Sequence, residues 1–374
     1  MTPPMLLITR RIRSTPFSSR VEAFGVKSYT VYNHMLLPTQ IRGVEADYHH
    51  LRSHPQVWDV YCERQVELVG PDAARLAQML TVRDLRSFAV GRCGYAPVVD
   101  EDGRLINDPV VLRLADDRFW FSVSDSDVVL WAGGLAHGFG LDVRVHEPDV
   151  GPLAVQGRHA EDVVATVFGE SVREIKFFRF APLVFGGHQL LVARSGWSAQ
   201  GGFEIYVDDA ALGGELYDAL MAAGEQYDIG PGCPNLIERI EAGLLTYGTD
   251  VTRADTALEA GLDHYCSLDA PIDAIGIEAL RRQAAAGVAR RICGFLIDGS
   301  AVPAQRHPWT ITVDGRPVGS ITSAVWSPRL ASNVSLGMVA IEHTAIGMEV
   351  VVETPDGARG ARVVDVPFPG ASQR

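Results

Sequence analysis

The stretch Leu191–Tyr206, LVARSGWSAQGGFEIY, constrains this chain more than any other. Its two ends alternate in character as strands do, and its middle is a small-residue run containing Ser195, Gly196, Gly201 and Gly202. That pattern predicts a β-hairpin with a long, glycine-rich connection. Period-2 geometry puts Phe203 and Ile205 on one face of the returning strand, with Glu204, Tyr206 and Trp197 on the other. Two readings are open from the segment alone. One is a half-exposed strand with its polar side in water. The other is a pocket in which a carboxylate grips a planar pair of N–H donors between aromatic walls.

A chain of 374 residues exceeds one ordinary domain, so two or three packed modules are expected. Apolar content of 47% with 21% charged residues describes a folded globular protein. A formal net charge of −13 argues against nucleic acid as a partner, because neutralising phosphates requires clustered Lys and Arg. Arg10, Arg11 and Arg13 form only a short local cluster. Five scattered cysteines without a CxxC suit reduced thiols in a cytoplasmic protein. The apolar stretch Met5–Ile8 runs almost at once into charge, and no run approaches the ~20 apolar residues of a membrane span. The expectation is a cytoplasmic protein with no membrane segment. His49, His50 and His54 invite a metal hypothesis, but no Cys or carboxylate at a recognised spacing completes a site, and none is expected.

Along the chain, residues 57–70 alternate as strands, and PDAARLAQMLTVRDL (71–85) switches to helical spacing after a Gly-Pro-Asp corner suited to a helix start. The same order of strand, glycine and helix recurs at Leu153–Gly169. This weak internal repeat predicts two similar α+β units, an arrangement that commonly holds a ligand where the units meet. Residues 93–114 read as a hairpin turning at Asp100–Gly103, with Asp108 inside its second run beside Pro109. A strand carboxylate in that position needs a polar partner if buried, and lies in water if the strand is an edge. Residues 119–131 read as a strand, carrying Ser122 as a candidate pocket hydroxyl, then a helix capped by Ser124, Asp125 or Ser126. Amphipathic helices are expected over 209–227, 234–247 and around 275–291. From Arg290 short alternating runs with Asp-Gly turns at 314–315 and 356–357 predict a small barrel. The expected organisation is α+β: two interleaved subdomains over 1–285 and a β-barrel domain over 286–374.

Four ordered motifs resemble the glycine-cleavage T-protein family of folate-dependent aminomethyltransferases: VELVGPDA (66–73), SGWSAQGGFEIYV (195–207), and ERIEAGLLTYGTD (238–250) leading into LEAGL (258–262). VGSITSAVWSP (318–328) and VVDVPF (363–368) are similar to that family's terminal barrel, so the resemblance spans nearly the whole chain. Within the family, residues 10–38 and 55–67, INDPVVL (106–112), SDSDV (124–128), EIKFFRF (174–180) and residues 232–248 resemble the branch of sulfonium demethylases.

The resemblance implies a T-protein-like folate-binding fold with tetrahydrofolate as co-substrate. It also implies methyl transfer from dimethylsulfoniopropionate to N5, giving methylthiopropionate. It implies that Glu204 binds the pterin N–H edge, with Tyr206, Tyr247 and Arg239 as further folate-side contacts, Arg239 being as readily structural. Asp108 is then the candidate base for the N5 proton, or else an orienting group for folate. Tyr32 and Trp197 are candidate aromatic walls for the sulfonium, since a ring holds a cation by about 0.5–2 kcal/mol while leaving the dispersed charge of the transition state unopposed. Asn107-Asp108 replaces the paired acids of the aminomethyltransferases, and Ala257 replaces a proline usual before LEAGL. Tyr61 and Gly94 stand where that branch is expected to carry a small residue and a tyrosine.

Three alternatives stay open. One is demethylation of another donor, such as a methoxy-aromatic acid or another S- or N-methyl compound. Another is aminomethyl transfer with a lipoylated carrier as partner, and the third is a folate-binding module without methyl transfer. A homodimer is compatible with the sequence.

Overall fold

The computed structural model describes residues 7–371, so Met5 and Leu6 of the apolar stretch Met5–Ile8 lie outside the described residues. The chain divides into two compact units, each assembled from separate segments. The first takes the chain up to Arg64, then 149–196 and 201–234; the second takes 65–148, 197–200 and the chain from Asn235 onward.

The first unit is built on a six-stranded sheet. Its order is Phe180–Phe185, His188–Ala193, Gly202–Val207, Gly151–Gly157, Pro55–Asp59, Gly230–Gly232. All neighbours are antiparallel except the last pair. The helices Ala160–Phe168 and Ala210–Ala223 pack against it. Alternate strand positions Val57, Leu153, Val155, Phe203 and Ile205 share a core with Val163, Val164, Leu212 and Leu216. Each such side chain contributes about 1.5–3 kcal/mol when fully buried. That burial fixes the register, because a one-residue slip would expose the whole set. Asp59 lies opposite Leu153 and is therefore a carboxylate on the core face, accepting from Thr15 Oγ1 at 2.5 Å and the Tyr61 amide at 3.3 Å. Burial pushes its pKa up to about 6.

In the second unit a five-stranded sheet runs in the order Arg144–His146, Arg64–Val69, Arg118–Val123, Val110–Ala115, Cys93–Tyr95. The helices Ala73–Leu80 and Val128–Gly138 bury Leu76, Ala77, Leu80 and Ala132 with Val66, Leu68, Val111, Phe119 and Phe121 of that sheet. The internal repeat is real at the backbone level. Arg64–Val69 feeds Ala73–Leu80 through Gly70, and Gly151–Gly157 feeds Ala160–Phe168 through Gly157. Each corner is too tight for a side chain: a Cβ would lie 2.7 Å from the Asp142 carbonyl at Gly70 and 2.6 Å from the Leu51 carbonyl at Gly157.

Six strands from Arg290–Ile297 to Gly357–Val364 close into a barrel around Phe295, Ile311, Ile321, Val339, Val352 and Val363. At Asp314-Gly315 both residues have positive φ, 50° and 72°, as a tight hairpin turn requires.

The predicted helices are shorter than their periodicity suggests, that around 275–291 being Ile277–Ala286 and that over 209–227 being Ala210–Ala223. The helix expected over 71–85 ends at Leu80, where Thr81 is extended and its hydroxyl donates to the Pro97 carbonyl. The one expected over 234–247 occupies only Leu236–Glu241. Gly243, at φ 69°, closes it: the Leu244 amide returns to the Arg239 carbonyl and the Gly243 amide to that of Ile240. This left-handed closure satisfies the last carbonyls and stops the helix despite apolar residues beyond.

Candidate active site

In the first unit, the predicted hairpin forms with Ala193 opposite Glu204 and Leu191 opposite Tyr206. Ala154 flanks Glu204 on its other side, and Trp58 lies beyond Ala154 on the same row. Glu204 and Tyr206 are thus on the face opposite the Phe203–Ile205 core, as alternation requires. Both are buried. Ser195 Oγ donates to Glu204 Oε2. Oε1 has no donor among the described residues. Burial raises the Glu204 pKa, and the Ser195 hydrogen bond opposes that rise. Two alanines beside the carboxylate leave it flanked by the smallest side chains that a strand commonly carries. The indole of Trp58 is fixed by donation to Gln56 Oε1 at 2.8 Å.

The second unit holds a separate carboxylate centre. Asp108 is buried between the strands Leu105–Asn107 and Val110–Ala115. Tyr95 donates to its Oδ2 at 2.7 Å and Ser124 Oγ to its Oδ1 at 2.7 Å. Burial nevertheless dominates and pushes its pKa up to about 6. Asn107 points the other way: its amide nitrogen donates to the Ser124 carbonyl at 3.1 Å and Ser126 Oγ at 2.7 Å, and its oxygen accepts the Ser124 amide at 3.1 Å. The Asn-Asp pair therefore divides its work, Asn107 tying down the 124–126 turn so that Ser124 reaches Asp108. This corrects the expected helix cap. The helix begins at Val128 after Asp127 with no side-chain cap, because Ser124 and Ser126 are engaged with Asn107 and Asp108.

The remaining candidates are divided between the two units. Ser122 shares a sheet face with Tyr95, Val110 lying between them, and its hydroxyl accepts Gln65 Nε2 at 3.0 Å. Tyr247 donates to the Leu105 carbonyl at 3.3 Å; burial pushes its pKa up to about 12, and the Asp108 charge adds to the rise. Arg239 is buried with its guanidinium on Asp250 at 2.7 Å and Ser323 Oγ at 2.5 Å. Asp250 also accepts from Thr322 at 2.8 Å and Ser323 at 2.6 Å, tying this arginine to the barrel strand Arg316–Ser327. Trp197 is half-buried in the second unit's short segment 197–200. Tyr32 ends the strand Ser28–Tyr32 of a separate two-stranded sheet and is half-buried against the first unit's core.

The His50 and His54 rings lie 5.0 Å apart at an interplanar tilt of 38°, and their ring nitrogens meet the Asp228 and Tyr227 carbonyls at 3.1 Å each. Tyr61 is buried, with its hydroxyl on Asp149 at 3.0 Å and its ring against Gly151. A Cβ at Gly94 would stand 2.9 Å from the Phe88 ring and 3.3 Å from Arg83 Nη1, so those two side chains fill the space a larger residue would need.

Tyr95 and Ser195, which hold these two carboxylates, did not stand out in the sequence as site residues. Tyr95 was legible only through strand register, which sets it opposite Val110, two residues past Asp108. Ser195 carried the signal of a turn residue and nothing more.

A mixed fold with paired strand–glycine–helix units, a closed terminal barrel and buried carboxylate centres defines a class, and the chain belongs to it: the glycine cleavage T-protein family. The GCVT N-terminal domain matches residues 17–270 and the glycine cleavage T-protein C-terminal barrel domain matches 290–369. Among individual proteins, the chain is 52% identical to dimethylsulfoniopropionate demethylase DmdA of Ruegeria pomeroyi, over 95% of this chain and 97% of that protein. It is 32% identical to an aminomethyltransferase of Symbiobacterium thermophilum over 89% of this chain and 91% of that one. An aminomethyltransferase of Clostridium botulinum is 29% identical over 96% and 97%. The crystal structure of glycine cleavage system aminomethyltransferase T from Bartonella henselae superposes with a TM-score of 0.85 at 22% identity, covering 96% of this chain and 99% of that one, which shows the shared fold.

Proposed function

We propose that this protein is a tetrahydrofolate-dependent demethylase that moves a methyl group from dimethylsulfoniopropionate to N5 of tetrahydrofolate, giving 3-(methylthio)propanoate and 5-methyltetrahydrofolate. The observation that carries the reading is the buried Glu204 carboxylate, whose single hydrogen-bond donor among the described residues is Ser195, in a chain 52% identical to a dimethylsulfoniopropionate demethylase. A largely buried carboxylate with one protein donor has acceptor capacity left for a ligand's N–H groups. The pterin edge offers adjacent N–H groups, and Oε2 has a second lone pair besides the one Ser195 uses. A charge-assisted contact of this kind contributes about 1.5–3 kcal/mol and fixes ring orientation.

Tetrahydrofolate supplies the nucleophilic N5; the C–S bond of the sulfonium breaks as the C–N bond forms, and a neutral thioether leaves. A sulfonium is already activated, so the protein's main contribution is alignment, which can supply several kcal/mol. The product nitrogen must lose a proton. Asp108 suits that role because its pKa of about 6 leaves it ionised, yet a competent acceptor, near neutral pH. Tyr95 and Ser124 hold both its oxygens in place. Tyr247 and Tyr206 are folate-side contacts in this reading. Tyr32, Trp197 and Ser122 are donor contacts, each testable by substitution. Arg239 acts through Asp250, steadying the segment that carries Tyr247. The reaction belongs to the cytoplasm, where tetrahydrofolate is kept reduced.

Incubation with tetrahydrofolate and dimethylsulfoniopropionate tests the proposal: both products form with the native chain and neither with Glu204→Ala. Turnover of a methoxy-aromatic acid instead would transfer the same site to another donor.

A further inference from the structure

The loop that carries the candidate pterin carboxylate is stitched shut from beneath. Gln156 is fully buried on the strand Gly151–Gly157, directly opposite Gly202. Its Nε2 donates to the Ser195 carbonyl at 3.1 Å and to the Phe203 carbonyl at 3.4 Å, which are the two ends of the glycine-rich connection. The fit requires glycine above it. A Cβ at Gly196 would lie 2.1 Å from Gln156 Nε2, and one at Gly202 would lie 2.1 Å from the Val155 carbonyl and 2.7 Å from the same amide. The small-residue run is therefore the space into which a glutamine locks. The locked end presents the Ser195 hydroxyl to Glu204 Oε2.

No charged side chain stands on the strand positions beside Glu204. Ala193 and Ala154 flank it, Trp58 follows, and Tyr206 is the titratable neighbour on its own strand. Among the described residues, Ser195 is the single hydrogen-bond donor to this carboxylate.

We propose that Ser195, held by Gln156, is the positioning residue that fixes which way the Glu204 carboxylate faces and supplies its one protein donor. This rests on the reading of Glu204 as the pterin anchor. A donor to one carboxylate oxygen restrains rotation about the final side-chain torsion, a broad two-fold well otherwise. It also favours the charged form that the pterin N–H groups need, working against burial.

The test is tetrahydrofolate binding, followed by tryptophan fluorescence, as a function of pH. Glu204 must be ionised to accept two N–H donors, so affinity falls as pH drops through its folded-state pKa. Removing the Ser195 hydroxyl raises that pKa further, so the fall begins at higher pH. Ser195→Ala is expected to move the midpoint upward by about one to two units, the worth of one hydrogen bond to a charge. Ser195→Thr, which keeps the hydroxyl, is expected to restore the native midpoint, and Gln156→Met to shift it in the same direction as Ser195→Ala. Ser195→Cys, nearly isosteric and a weak donor, carries the same comparison if the alanine variant does not fold.

A Ser195→Ala or Ser195→Cys profile weakened equally at every pH, with an unmoved midpoint, overturns the positioning role. A native midpoint in Gln156→Met removes Gln156 from it. These outcomes are distinct from failure of the underlying reading, in which the native protein binds no tetrahydrofolate or Glu204→Ala binds it as well as the native chain does.

Discussion

The Tyr95 hydroxyl stands 2.7 Å from Asp108 Oδ2, donating to a carboxylate that burial has already made reluctant to ionise. The proposed base role requires Asp108 to be ionised, so activity should rise with pH through about 6 and level off above. Tyr95→Phe removes a donor that favours the ionised form. Its pH–rate profile for kcat/KM is expected to show the acid limb moved upward by up to about one unit. Asp108→Asn should lose the limb together with most of the rate; full activity in that variant removes the base role.

Asp59 gives a stability prediction with a defined sign. Its folded pKa of about 6 lies above its ordinary value of 3.8, so the folded state binds this proton more tightly than the unfolded chain. Stability from this group is therefore greatest at low pH and declines as pH rises between those two values. Between pH 5 and pH 7.5 the loss amounts to about 1.4 kcal/mol. Urea unfolding at both pH values should show a smaller pH-dependent decline in Asp59→Asn than in the native chain. An equal decline would mean that Asp59 titrates normally.

Gly94 is filled by its neighbours, a Cβ there meeting the Phe88 ring at 2.9 Å. Gly94→Ala is expected to destabilise by about 1–3 kcal/mol through overpacking. Combining it with Phe88→Leu should cost less than the sum of the two single changes, because both act on one space. Strict additivity in thermal or urea unfolding would show that Phe88 yields freely.

Arg239 and Asp250 form a buried ion pair at 2.7 Å. Arg239→Met strands the Asp250 carboxylate and should destabilise by about 3–5 kcal/mol, with Arg239→Met/Asp250→Asn recovering part of the loss. Lower folate affinity at unchanged stability would instead make Arg239 a direct ligand contact.

The residues that were legible in the sequence are those whose constraint is local. Alternation around Phe203 and Ile205 gave the hairpin and the face of Glu204, and Asp-Gly pairs gave the barrel turns. Helix lengths were less legible, since the apolar run after Glu241 continues past the point where the left-handed Gly243 ends the helix. Partners were the least legible. Ser124 has the composition of a helix cap, and only the approach of Asn107, 17 residues earlier, turns it toward Asp108. Gln156 carries no sequence signal of its role, because the space it enters is made by glycines 40 and 46 residues further on.

The most direct test of the central claim is to follow the methyl carbon itself. Dimethylsulfoniopropionate labelled with carbon-13 in its S-methyl groups is incubated with the protein and tetrahydrofolate, and the products are read by NMR. One labelled methyl should appear on N5 of the folate and the other remain in 3-(methylthio)propanoate, with neither signal in Glu204→Ala. Label that stays wholly in the sulfonium while tetrahydrofolate binds would contradict the claim and leave a folate site serving another donor.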